Sequence, residues 1–200
     1  MKQCSSSNIA SCEALNQFAA LLVRWNRTVN LIARGDEPCI WPRHIEDSLQ
    51  LAPFIPAHTE RGIDLGSGAG FPGLILALAT GRPFDLIEAD QRKAAFLREA
   101  ARMTRAPVRV HAARIEAATL LPAPLVTARA LAPLPDLLRL AAPKLTNDGM
   151  ALFLKGANHD AELTRARREW QMRVERIPSR TAPGAVVLKI SELRRVPSSA

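Results

Sequence analysis

The chain of 200 residues has no tyrosine and only three cysteines, Cys4, Cys12 and Cys39, none of them spaced as Cys-x-x-Cys. An odd, scattered set of thiols fits neither a disulfide framework nor a zinc site. No metal is therefore expected, and a reducing cytoplasm is the expected location. Long hydrophobic runs are missing too: nothing approaches the ~18 apolar residues of a membrane span, so no membrane partner is expected. The first fifteen residues are rich in Ser and Asn and lack the apolar stretch of a secretory signal. Negative charge is scarce, with 19 Asp and Glu against 27 Lys and Arg, a formal net charge of +8. That balance favours a polyanionic partner, nucleic acid first, although many soluble proteins are basic without binding one.

What is present is globular. Hydrophobic residues make up 48% of the chain and charged ones 23%, enough for one domain to bury its own core. Leu15, Phe18, Ala19, Leu22 and Val29 recur at helical spacing behind Ser11 as a cap, and Trp25 extends the stripe, which predicts an opening amphipathic helix of about five turns. Pro42 in a first helical turn, Ile45, Leu49 and the i, i+3 pair His44 and Asp47 predict a short second helix ending before Pro53. Residues 1–60 thus read as a helical extension packed on the core as a lid or side wall.

From Arg61 to Leu193 short apolar runs alternate with helical segments, the mark of βαβ units. Strands are predicted near Gly62–Leu65, Phe84–Ala89, Val108–Val110, Val126–Ala130 and Met150–Leu154, and helices near Pro72–Ala79, Arg92–Met103, Pro133–Ala142 and Asp160–Trp170. Arg173–Ile177 and Ala185–Leu193 read as a closing pair of strands. The expected fold class is α/β: a Rossmann-like, mostly parallel sheet with helices on both faces, in the layout of methyltransferases. The Ser-rich start and residues 194–200 are expected to fray.

Asp64-Leu65-Gly66-Ser67-Gly68-Ala69-Gly70-Phe71-Pro72-Gly73 follows the first predicted strand. Glycines there let the backbone turn sharply and approach a ligand at the strand's carboxyl end. Gly68-x-Gly70-x-x-Gly73 also satisfies the dinucleotide pattern. Asp64 weighs against that alternative, because an acid directly before the glycines would repel a pyrophosphate, whereas it would favour the ammonium and sulfonium charges of S-adenosylmethionine. Glu88, closing the second strand, is placed to accept the hydroxyl protons of an adenosyl ribose, with Asp90 as the alternative. Ile115 and Glu116, after the third strand, fall near the adenine edge by topology.

Further absences narrow the acceptor. No Asn-Pro-Pro-Tyr or Asp-Pro-Pro-Tyr run is present to orient an exocyclic amine, and all three cysteines lie upstream of the glycine loop, away from where a thiol for carbon-5 methylation is expected. A purine ring nitrogen, which offers a lone pair and needs chiefly positioning, fits better. At the carboxyl ends of strands four and five stand Arg129, able to fork onto guanine oxygen or phosphate, and Lys155, a point charge for backbone phosphate, with Arg114 comparable after strand three.

Joined together, these motifs resemble the bacterial family of small-subunit ribosomal RNA guanine-N7 methyltransferase G, also called glucose-inhibited division protein B. The landmarks, over roughly Trp25 to Gly156, are Trp25-Asn26, Asn30-Leu31, Arg43-His44-Ile45-x-Asp47-Ser48, the glycine loop, Arg114-Ile115-Glu116, Thr127-Ala128-Arg129-Ala130 and Leu154-Lys155-Gly156. The resemblance implies a class I S-adenosylmethionine-dependent fold with S-adenosylhomocysteine as product. The acceptor it implies is N7 of the guanine conventionally numbered 527 in 16S ribosomal RNA, within the small ribosomal subunit. A loop target agrees with the chemistry, since N7 is out of reach in the deep, narrow major groove of A-form RNA. A monomer is expected.

Around the loop, Ser67, Phe71 and Arg129 join Asp64, Gly66, Gly68, Gly70, Glu88, Ile115 and Glu116 as expected cofactor contacts. Asn30, Arg114 and Arg129 become pocket residues facing guanine or phosphate, and His44 and Asp47 supports of the N-terminal wall, His44 near RNA. The family commonly has an arginine before its last strand. Here the stretch reads Thr181-Ala182-Pro183-Gly184-Ala185-Val186, leaving Arg180 as the substitute RNA contact. Two other readings stay open: a noncatalytic RNA-binding assembly factor of the same fold, and a small-molecule methyltransferase, which the +8 charge disfavours.

Overall fold

A computed structural model describes residues 6–196, with side-chain surroundings from residue 11 onward. Its seven strands form one sheet in the order β3-β2-β1-β4-β5-β7-β6. β1 (Gly62–Leu65), β2 (Phe84–Ile87), β3 (Val108–His111), β4 (Ala123–Arg129) and β5 (Leu145–Lys155) pair in parallel. β7 (Val186–Arg195) inserts antiparallel between β5 and β6 (Trp170–Pro178). β1 is flanked by β2 and β4, so the connections leave it in opposite directions and a crevice opens at the carboxyl ends of β1 and β4.

The period of two along a strand sorts side chains onto two cores. Met150, Leu152 and Leu154 of β5 face one layer with α1 (Ser6–Asn26), α3 (Gly73–Thr80) and α4 (Gln91–Thr104). Ala151 and Phe153 face the other with α5 (Leu134–Ala141) and α6 (His159–Ala166). Helices therefore cover both faces, and the sheet centre is apolar on each. Phe18 of α1 is fully buried against Phe71 and Phe96, a burial that contributes about 2 kcal/mol. From Leu15 on, α1 thus packs against the core.

Some boundaries differ from those expected. α1 is already under way at Ser6, so Ser11 is no cap; its Oγ donates to Leu78 O of α3 at 3.2 Å. Val29 lies past the helix, in a turn closed by its N–H on Trp25 O (2.8 Å), yet remains buried. The second helix opens as a π-helical stretch, Trp41–Ile45, with Pro42 where a first turn misses no hydrogen bond, and becomes α2 (Glu46–Leu49) only afterwards. α6 stops at Ala166, and Trp170 opens β6 with its ring in the core. Arg194 and Arg195 pair with Gln171 and Trp170, so the tail expected to fray is strand through Arg195. Ser6 and Ser7 belong to α1, while residues 1–5 and 197–200 lie outside the described residues. Among the described residues no helix is long and apolar enough to cross a membrane.

Candidate functional site

At the carboxyl ends of β1 and β2 lies a cavity of about 460 Å³, bordered by the glycine loop, Glu88, Ile115 and Leu131. The loop turns on Gly66, whose φ of +62° disfavours any side chain. A Cβ there would also stand 2.5 Å from Leu131 Cδ1. Glu88, at the end of β2, accepts the Gly68 N–H on Oε2 and the Asp90 N–H on Oε1, both at 2.8 Å. Its carboxylate is thus held in place while each oxygen keeps a lone pair for a ligand hydroxyl. Asp90, the alternative, instead caps α4: Oδ1 accepts from Lys93 N at 3.1 Å and Arg92 N at 2.8 Å, and these bonds hold its carboxyl below the usual range. Ser67, Phe71, Arg114, Ile115 and Glu116 all border this cavity.

Asp64 takes a different place from the one its sequence position implies. It is fully buried beneath the loop and borders neither this cavity nor its neighbour. Oδ1 accepts from Thr127 Oγ1 at 2.6 Å, and Oδ2 has no well-formed partner. A Cβ on Gly73 would collide with Asp64, so that glycine lets α3 start directly against β1. Burial pushes the Asp64 carboxyl up to about 6, against the hydrogen bonds and the Arg129 charge that favour ionisation. Its geometry anchors the loop from below. Gly70, with φ of +94°, likewise packs away from the cavity, against Leu74 and Leu97.

A second, wider cavity of about 850 Å³ lies beyond Arg129 and Ala130, which border both. Its walls come from the second helix, the ends of β4 and β5 and the loop between β6 and β7. Arg129 Nη1 reaches His44 Nδ1 (3.0 Å), Arg43 O (3.2 Å) and Asp47 Oδ2 (3.3 Å), and its Cζ sits 4.7 Å above the Phe71 ring centre. Burial lowers the Arg129 pKa while Asp47 opposes the shift; a guanidinium remains charged at neutral pH regardless. His44 stacks on the same Phe71 ring at 5.0 Å. Burial and the Arg129 charge bring its pKa down to about 4, so the ring is neutral, accepts on Nδ1 and carries its proton on Nε2, 3.5 Å from Asp36 Oδ2. Ala130 adopts a φ of +49°, rare for a residue with a side chain, at the point where the two cavities meet.

Of the expected RNA contacts, Lys155 borders the wide cavity but is not a free charge: its Nζ pairs with Glu162 Oε2 (2.6 Å) and donates to Ala132 O (2.9 Å). Arg180 is exposed on the β6–β7 loop, its backbone N–H held by Gln50 Oε1 (3.0 Å). Asn30 is exposed and borders neither cavity, whereas its neighbour Leu31 borders the narrow one. Asn26 does the local work: Oδ1 accepts from Leu31 N (2.9 Å) and Ile32 N (3.0 Å), turning the chain out of α1. Asn26 and Thr127 stood in the sequence only as landmarks of the resemblance, with no role assigned, and Gln50 and Thr181 had no assigned role either; Gln50, Thr127 and Thr181 acquire theirs through partners distant in the chain.

Residues 11–184 match the family model described as GidB, rRNA small subunit methyltransferase G. The chain is 57% identical over 184 residues to the ribosomal RNA small subunit methyltransferase G of Gluconobacter oxydans, covering 92% of this chain and 95% of that one. To the protein of that name from Granulibacter bethesdensis it is 56% identical over 184 residues, covering 92% and 86%. Among solved structures, M. jannaschii TYW2 in complex with AdoMet superposes with a TM-score of 0.59 at 18% identity, over 76% of each chain. That likeness is one of fold, and the fold is that of class I S-adenosylmethionine-dependent methyltransferases.

Proposed function

Since the chain belongs to the rRNA small subunit methyltransferase G family, we propose that it methylates N7 of the guanine conventionally numbered 527 in 16S ribosomal RNA, within the small subunit, using S-adenosylmethionine. The observation that carries this reading is the meeting of two cavities at Arg129 and Ala130. The narrower one fits the cofactor. Its bare backbone at Gly66, its fixed carboxylate Glu88 and its apolar Ile115 match a small ligand with ribose hydroxyls and a flat base. Bound there, S-adenosylmethionine supplies an electrophilic methyl on a sulfonium.

The residues beyond Arg129 then have a limited task. N7 of guanine presents a lone pair in the ring plane and loses no proton on methylation, so positioning replaces base catalysis. The His44 ring agrees with this: neutral, its one lone pair already occupied by Arg129, it is no free base. Arg129 and Arg114 offer guanidinium forks for guanine O6 or phosphate. The positive charge that N7 acquires is tolerated beside the Asp47 carboxylate, which lines the wide cavity.

The test is transfer of labelled methyl from S-adenosylmethionine to small subunits that lack the modification. Label in the RNA is expected, with activity falling steeply as salt rises. No transfer, despite confirmed cofactor binding, overturns the reading and leaves the noncatalytic RNA-binding alternative.

A further inference from the structure

Arg129 is tied to the N-terminal extension through a single nitrogen. Nη1 carries its bonds to Asp47, His44 and Arg43, and the face of the guanidinium lies on Phe71. Nε and Nη2 have no partner among the described residues, and neither is sealed from solvent. Arg129 itself borders both cavities. A planar fork pinned at one corner and along one face cannot swivel, so its remaining donors are presented at a set angle before any ligand arrives.

Asp47 is engaged on its second oxygen as well. Oδ1 accepts from Thr181 Oγ1 at 2.6 Å and from Gln50 Nε2 at 2.8 Å. Ser179, Thr181, Ala182 and Pro183 also line the wide cavity. One carboxylate thus joins the guanidinium to the loop. Thr181 stands in the stretch where the family commonly has an arginine, so here the loop contributes its place where an arginine would contribute charge.

We propose that Asp47 is the positioning residue of the acceptor site, fixing the free donors of Arg129 and the loop of residues 179–183 in register so that a guanine nucleotide is gripped between them. This deepens the proposed function and rests on it. Asp47→Asn tests it directly, because it removes the charge paired with Arg129 and leaves one acceptor oxygen where a carboxylate has two, so the N–H donors of Arg129 and Gln50 can no longer each have an oxygen of residue 47. On subunits lacking the modification, kcat should fall about 10- to 100-fold while the dissociation constant for S-adenosylmethionine stays within about twofold. Thr181→Val removes the direct bond between Asp47 and the loop while sparing the one to Arg129, and should raise KM for the subunit several-fold with cofactor affinity retained.

An Asp47→Asn enzyme with wild-type kcat, or one that loses cofactor affinity in proportion to turnover, overturns the proposal. Should that variant fail to fold, an unchanged subunit KM in Thr181→Val overturns it equally. Absence of methyl transfer by the wild-type chain would strike the proposed function instead, so the two failures are distinguishable.

Discussion

The two cavities that meet at Arg129 are built in different ways. The narrow one is made mainly by strand ends and the loops that directly follow them, Gly66 to Ala69 and Phe71 after β1, Glu88 after β2, and Arg114 to Glu116 after β3, with Leu31 and Leu140 closing its edge. The wide one is assembled from far-separated pieces, with Arg129 bonding His44 across 85 positions and Thr181 bonding Asp47 across 134. A cofactor site of the first kind travels with the fold, since any sheet of this topology opens a crevice there. An acceptor site of the second kind depends on additions to the fold, here the N-terminal wall and the β6–β7 loop. The division matches the chemistry, in which the methyl donor is general to a superfamily and the acceptor particular to a family.

Four measurements bear on this contrast. Arg129→Ala should carry the largest effect, a fall in turnover of about 100-fold or more, with cofactor affinity changed by less than about threefold. Parallel single-turnover kinetics and calorimetric titration would show the split, and equal losses in both would erase the boundary between the cavities. Glu88→Ala should do the reverse, weakening the cofactor about 100-fold by removing a charged acceptor and freeing the Gly68 and Asp90 N–H groups. Lys155→Met should act on stability. It leaves Glu162 uncompensated in a half-sealed site, at a cost of about 3 kcal/mol in denaturant unfolding, while the salt dependence of RNA binding stays as it was.

The smallest expected effect concerns pH. His44, at about 4 in the fold against ~6.5 when free, is more protonated in the unfolded chain between those values, so its contribution to stability is lost as pH falls through that window. Asp64, raised from 3.8 to about 6, is more protonated in the fold, so its contribution is lost as pH rises through 6. The slopes oppose each other. Asp64→Asn should therefore steepen the rise of stability with pH between 4 and 6, by about 2 kcal/mol across the window. An identical pH profile in denaturant melts would show that Asp64 does not titrate there.

What was legible in the sequence follows the same division. Glycine density, strand periodicity and the acid closing β2 are local signals, and they located β1 at Gly62–Leu65 and Glu88 beside the loop. Asp64 was legible as part of the motif but not as a buried anchor, because its direction depends on Thr127 and Gly73, which reach it only in the folded sheet. Lys155 read as a free cation because nothing in the sequence reveals that Glu162 turns back onto it from α6. The start of α1 escaped because Ser11 resembles a cap, while its hydroxyl is directed at Leu78 of another helix. Thr181 and Gln50 carried no signal at all, since their roles exist only in the contact between the two ends of the chain.

On the proposed function, the wide cavity receives a guanine of small-subunit RNA with N7 towards the cofactor side. The most direct test incubates unmodified small subunits with the protein and S-adenosylmethionine, then cleaves the extracted RNA chemically at 7-methylguanine. A single new break is expected, at the loop guanine conventionally numbered 527, and it should disappear with Arg129→Ala. Methyl label at an exocyclic amine, a pyrimidine carbon or many scattered guanines would contradict it.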